Sequence, residues 1–188
     1  MKEIIERFKG KRILVVGDVC LDRYRIGDIT YRSAREGNGI PIIRYIKGKK
    51  GHKDEYSPGA SGNIAWNLVS LGAKVSVLGI IGKDYAGKIL KKELEKRDIN
   101  SQFLFVSEDR ATITFEKSYD VKDSSKPIQR WDTENNSIIG KENELKLKQI
   151  IYDKHKDFDA IVVADYCEVD ETTAIITDNI LSILENLY

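Results

Sequence analysis

The sequence predicts an α/β protein, a mostly parallel sheet flanked by helices with a small β lid beside it. Two continuous apolar runs, Arg12-Ile13-Leu14-Val15-Val16-Gly17-Asp18 and Asp159-Ala160-Ile161-Val162-Val163-Ala164-Asp165, have the unbroken hydrophobicity of strands buried on both faces. Segments with aliphatic residues at helical spacing lie between and after them. Residues 24–58 differ from both: Gly-rich and basic, with short β-prone pieces such as Ile40-Pro41-Ile42-Ile43-Arg44-Tyr45-Ile46. They read as a flap or small sheet outside the main core.

In order, Arg12–Asp18 is the first buried strand. Ser61–Leu71 is a helix, because Ile64, Leu68 and Leu71 share a face and Gly72 is placed to end it. Val75–Ile81 is β-branched and apolar and reads as a strand. A helix follows it, with Ala86, Leu90 and Leu94 on one face and Ile89 beside them. Ala111–Glu116 alternates apolar and polar residues, the pattern of a half-buried strand. Ile128–Trp131 is a further short strand, and the polar stretch Asp120–Lys126 joins the two. Glu142–His155 reads as a surface helix and Asp159–Asp165 as the second buried strand. Ile176, Ile180, Ile183, Leu184 and Leu187 mark a last helix. No repeat and no linker divides the chain, so residues 1–188 are read as one unit with the lid at about 24–58.

With 188 residues, of which 41% are hydrophobic, the chain has material for one good-sized core. Lys and Arg total 31 against 30 Asp and Glu, so no charge excess points to nucleic acid or an anionic membrane. The one basic cluster, Lys47-Gly48-Lys49-Lys50-Gly51-His52-Lys53, holds no aromatic to stack a base and reads as a solvated loop. Cys20 and Cys167 have no metal-ligand spacing and read as buried thiols in a reducing compartment. His52 and His155 lie in no motif and read as solvent-facing or incidental histidines. No metal site is expected. The start, Met1–Phe8, is amphipathic without the pattern of a signal peptide, and no apolar run reaches membrane-spanning length. A soluble cytoplasmic protein is the expectation.

Two places invite chemistry. The buried strands end in Asp18 and Asp165, and open α/β sheets gather ligands at the carboxyl ends of their strands. Two carboxylates there suit the hydroxyls of a polyol; turn or helix-capping aspartates are the alternative. The second place is Gly82-Lys83-Asp84-Tyr85-Ala86-Gly87-Lys88. It matches a phosphate-binding loop except that Ile89 stands where a Ser or Thr hydroxyl would hold magnesium. That reads as an ordinary strand-to-helix turn with Lys88 in solvent.

Taken together, five segments resemble the PfkB (ribokinase-like) carbohydrate kinases. They are Val16-Gly17-Asp18-Val19-Cys20-Leu21-Asp22-Arg23-Tyr24, then Ser57-Pro58-Gly59-Ala60-Ser61-Gly62-Asn63-Ile64-Ala65-Trp66-Asn67-Leu68, then Ser70-Leu71-Gly72-Ala73. Gly79-Ile80-Ile81-Gly82-Lys83-Asp84 with Gly87 and Val163-Ala164-Asp165-Tyr166 complete them. Within the family the chain looks most like the heptose-phosphate kinase domains of bifunctional ADP-heptose synthesis proteins. The resemblance implies a ribokinase-like sheet with the sugar between it and the lid. It implies a sugar-hydroxyl contact at Asp22 with Asp18 beside it, and a further contact from Asn63. Gly59 belongs to the lid hinge, Ala60 stands where the family has a second glycine, and Asp165 falls in the family's S-D-Y segment. Arg32, Arg35 and Arg44 are candidates for a substrate phosphate, or a solvated lid face. Cys167-Glu168-Val169 stands where heptose kinases carry a Lys-Gly pair. ATP and Mg2+ are implied as cofactors, but the family binds them at a G-A-G-D loop with no counterpart here. The expectation is therefore the N-terminal portion of a kinase, truncated before the ATP-binding half, with no catalytic base in this chain. The expected partners are a sugar or sugar phosphate, and either a second copy through the lid or a chain supplying the missing half. A non-catalytic sugar-phosphate-binding half-kinase is the alternative.

Overall fold

A computed structural model describes residues 2–33, 35, 39–166 and 173–187. The main sheet contains β1 (Arg12–Gly17), β5 (Lys74–Gly82), β6 (Asn100–Ser107) and β9 (Ala160–Ala164), in the order β6-β5-β1-β9. Every neighbouring pair in it is parallel. Alternate residues of β1 serve opposite faces. Ile13 and Val15 join Val75 and Val77 beneath α2 (Ser61–Ser70) and α3 (Tyr85–Glu95), where Ala65, Leu90 and Leu94 close the layer. Leu14 and Val16 join Leu78 and Ile80 beneath α4 (Lys141–Lys154) and α5 (Asp178–Asn186), against Leu147, Ile151, Ile180 and Leu184. Coverage on both faces is why the strand is apolar without alternation. The helix before β5 lies on one face and the helix before β9 on the other. The two connections therefore part at the carboxyl end of β1, the topological switch point where α/β sheets receive ligands.

A second sheet stands off this end. It is built from β2 (Val19–Ser33), β3 (Ile40–Arg44), β4 (Lys53–Ala60), β7 (Thr114–Asp120) and β8 (Gln129–Thr133). β2 pairs antiparallel with β4 from Val19 to Ile26 and with β3 further out. Its other edge pairs parallel with β7 from Leu21 to Gly27, and β8 runs antiparallel to β7. The lid sheet is thus wider than the 24–58 span expected for it. It starts at Val19 and recruits two strands from beyond Thr114. A short helix, α1 (Lys2–Glu6), precedes β1, and Phe8 packs on the α2/α3 side of the core.

The sequence does not mark β6 as a strand. It is an edge strand with a register irregularity against β5 near Ser76–Leu78, so its outward residues, Val106 among them, stay exposed and its pattern is mixed. β7 begins at Thr114 rather than 111, because Ala111 bonds to Asn135 and Thr112 to Asp84 in the β5–α3 turn instead. α5 starts at Asp178, with the Thr177 hydroxyl accepting from the Ile180 N–H, so Ile176 packs in the core ahead of the helix. His52 is buried, not solvent-facing: its Nδ1 accepts from the Ile46 N–H at 3.1 Å and its ring lies against Tyr45. The hairpin between β3 and β4 folds over that imidazole while its lysines remain in solvent. Cys20 is buried as expected. Cys167, Glu168 and Val169 lie outside the described residues.

Gly17 ends β1 opposite Ala164 of β9, and a Cβ there would collide with the Ala164 carbonyl oxygen. Gly17→Ala is expected to lower stability by about 1–3 kcal/mol, the usual cost of overpacking. Urea denaturation measures this as a fall in midpoint with an unchanged slope.

Candidate functional site at the carboxyl end of the sheet

Asp18 follows β1 and is 3% exposed. Its main-chain carbonyl accepts from Ser61, N–H at 3.0 Å and hydroxyl at 2.6 Å, which fixes the start of α2 against the end of β1. Its carboxylate faces the Ile175 N–H, 3.4 Å from each oxygen. Burial pushes the Asp18 carboxyl up to about 6; the Ile175 N–H and the nearby Arg110 guanidinium oppose that shift, and the neighbouring Asp165 charge adds to it. Arg110 is itself buried and donates to the Ser137 carbonyl at 2.9 Å and the Thr173 carbonyl at 2.7 Å. Asp18 therefore ties the end of β1 to the segment leading into α5, and Asp165 lies exposed beside it at the end of β9.

Asp22 sits four residues further on, on β2. Its partner strand presents Gly59, where a Cβ would stand 2.5 Å from Asp22 Oδ2 and 2.5 Å from Cys20 Sγ. Only a glycine lets β4 lie this close to the carboxylate and thiol. The other oxygen, Oδ1, accepts from Lys117 Nζ at 3.2 Å. Ala60 then turns the chain into α2 with φ 50° and ψ −125°. That is a glycine conformation, and an alanine holds it only because the flanking strand and helix over-determine it. Asn63 lies exposed in the first turn of α2.

The Gly82–Lys88 turn is built against anions. Asp84 caps α3: Oδ1 accepts from the Gly87 N–H at 2.7 Å and the Thr112 hydroxyl at 2.8 Å, and Oδ2 accepts from the Thr112 N–H at 2.8 Å. The Thr112 hydroxyl also accepts from the Gly82 N–H at 2.9 Å. Burial raises the Asp84 carboxyl, but the hydrogen bonds from Thr112 and Gly87 outweigh it and hold the group below the ordinary aspartate range. A carboxylate already fills the helix N-terminus that a phosphate would need, and Lys88 is exposed. The turn is a structural knot, with Gly82 and Gly87 leaving room for it.

Asp22 and Gly59 are thus in contact, Asp18 and Asp165 are electrostatic neighbours, and Ala60 adjoins the Ser61 that anchors Asp18. Arg44 stacks on the Tyr31 ring with its guanidinium carbon 3.5 Å from the centroid, and Arg32 and Arg35 are exposed. Sequence reasoning missed Arg110 and Lys117. Each is a single cation in an irregular or alternating stretch, and its partner lies far away along the chain. On the opposite face of β2 from Asp22, Arg23 makes a two-pronged pair with Asp54 at 2.9 Å and also meets Glu116, which is shared with Arg25. The Arg23 hydrogen bond holds the Asp54 carboxyl below its usual range.

The chain is thus an α/β protein with a doubly covered parallel sheet and a strand-rich lid at its carboxyl end. The pattern of the pfkB family carbohydrate kinases matches residues 12–176, and the chain belongs to that family. The bifunctional protein HldE of Citrifermentans bemidjiense is 31% identical over 177 residues, 94% of this chain and 34% of that protein. HldE of Sulfurimonas denitrificans is 36% identical over 156 residues, 82% of this chain and 30% of that protein. The chain therefore spans about a third of the length of these curated relatives. Phosphofructokinase-2 of Escherichia coli, solved with fructose-6-phosphate, superposes with a TM-score of 0.57 over 94% of this chain and 51% of its own, at 14% identity, a likeness of fold.

Two variants test the site's energetics. Protonated Asp18 favours the folded state; that stability is fully present below the ordinary aspartate value of 3.8 and is lost as pH rises through about 6. Asp18→Asn is therefore expected to gain about 1–3 kcal/mol at pH 7.5, with the gain shrinking towards pH 4. Denaturant unfolding across that range measures it. Ala60→Gly relieves the positive φ and is expected to stabilise by about 1 kcal/mol, read as a higher melting midpoint.

Proposed function

We propose that this chain carries the sugar-binding side of an ATP-dependent carbohydrate kinase that phosphorylates a hydroxyl of a heptose phosphate or similar sugar phosphate, in ADP-heptose-type sugar metabolism. The observation that carries the reading is Asp22, half-buried at the base of the lid and fixed between Gly59 and Lys117. A carboxylate so held accepts from sugar hydroxyls. Asn63, exposed in the first turn of α2, and Asp165, exposed at the end of β9, are proposed to add to it. The family membership and the HldE relatives support a sugar-kinase role. Closure of the lid over the sugar would exclude water before phosphoryl transfer. On this reading the protein is cytoplasmic, where ATP is supplied, and its partner is a second copy through the lid or a chain with the ATP-binding half. No described helix is long and apolar enough to cross a membrane.

We assign neither ATP nor magnesium to the described residues. The α3 N-terminus is capped by Asp84, and among the described residues no group of three or more His, Cys, Asp or Glu side chains is placed to hold a metal ion. Asp18, Asp22 and Asp165 are already assigned to structure or sugar. The ATP site and general base are proposed to lie outside these residues, and the chain alone to bind sugar with little phosphoryl transfer. A sugar-phosphate-binding half-kinase without catalysis is the second reading.

Calorimetric titration with heptose 7-phosphate is expected to show binding that Asp22→Asn weakens about 10- to 100-fold, the loss of a charge-assisted hydrogen bond. Equal binding by both proteins would remove Asp22 from the site. With ATP and magnesium added, release of ADP by this chain alone would overturn the assignment of the base elsewhere.

A further inference from the structure

Asp22 has a partner from the other half of the lid, 95 residues along the chain. Lys117 on β7 stands in register with Tyr24 on β2. Its Nζ donates to Asp22 Oδ1 at 3.2 Å and lies 5.5 Å from the centre of the Tyr24 ring. The period of two along each strand puts Asp22, Tyr24 and Lys117 on one face of the lid. Arg23, Arg25 and Glu116 form their own ion pairs on the other face. The Lys117 and Asp22 side chains are 25% and 17% exposed, buried enough to be held and open enough to be reached.

Such a pair adds little to stability once desolvation is counted. Its value lies in what it presents. An ammonium has three donors and no acceptor, and a carboxylate only accepts. A sugar hydroxyl does both, so adjacent hydroxyls are matched by a carboxylate and an ammonium side by side. Burial lowers the Lys117 ammonium, but the charge and hydrogen bond of Asp22 outweigh this and keep it protonated. Oδ1 of Asp22 is oriented by Lys117 and Oδ2 lies over Gly59.

We infer that Lys117 is a second residue of the sugar site, which sets the Asp22 carboxylate and donates a hydrogen bond of its own, so that the pair reads neighbouring hydroxyls of a polyol. This rests on the reading of Asp22 as a sugar contact. Titration of the chain with heptose 7-phosphate tests it, using wild type, Lys117→Met, Lys117→Arg, Asp22→Asn and the Lys117→Met/Asp22→Asn double variant. Lys117→Met is expected to weaken binding at least 10-fold, and Lys117→Met with Asp22→Asn to restore any fall in melting midpoint that the unpaired carboxylate causes. Lys117→Arg is expected to recover most of the loss, because a guanidinium also donates to both partners. The double variant is expected to bind no more weakly than the weaker single one, since the two residues act as a unit. Wild-type affinity in Lys117→Met beside a loss in Asp22→Asn would overturn the inference and leave the Asp22 reading standing. Unchanged binding in both single variants, or no binding by wild type, would overturn both. A loss in Lys117→Met that follows a lowered melting midpoint, without recovery in Lys117→Arg, would mean a structural role only and overturn the inference.

Discussion

Everything in this fold depends on β1 being enclosed. Its two edges are paired with β5 and β9, and its two faces are covered by α2 and α3 on one side and α4 and α5 on the other. A strand without a free edge or face leaves the chain one exit, at its carboxyl end. Gly17 makes that exit narrow by letting β9 approach, and Asp18 then anchors α2 and faces the segment ahead of α5. The lid, the first turn of α2 and the end of β9 converge there because each is tied directly to that exit.

The same place holds the least comfortable groups in the molecule. Asp18 carries a charge that burial opposes, and Ala60 holds a backbone conformation made for glycine. Neither is explained by packing, since Asn and Gly respectively would suit the local environment better. Costs of this kind gather at sites where a ligand must be met by groups arranged in advance. Asp84 shows the contrast. Its carboxylate is satisfied by three donors, and it serves the backbone alone.

The sequence made the body of the fold legible because the physics there is local and periodic. The runs from Arg12 and Asp159 are apolar because both sides of the sheet are covered, and Gly72 at φ 96° stops α2 as its position implies. β6 was hidden because an edge strand mixes exposed and buried residues, and the lid was underestimated because β7 and β8 join it from a distant stretch. Within the site, Asp22 and Gly59 were readable as motif residues. Lys117 and Arg110 were not, because nothing in their own neighbourhood records a partner tens of residues away. His52 was misread for a related reason: its burial comes from a hairpin folding back on it, and a basic run gives no sign of that.

The parallel pairing of β2 with β7 has a consequence for how such a lid can arise and change. β5, α3 and β6 lie between those two strands along the chain, and all three belong to the body. The lid therefore cannot be excised, transplanted or acquired as a single cassette, because any exchange would have to swap two separated segments and keep them in register. Its two halves must vary in concert, and a nascent chain cannot complete the lid until the body between them has emerged.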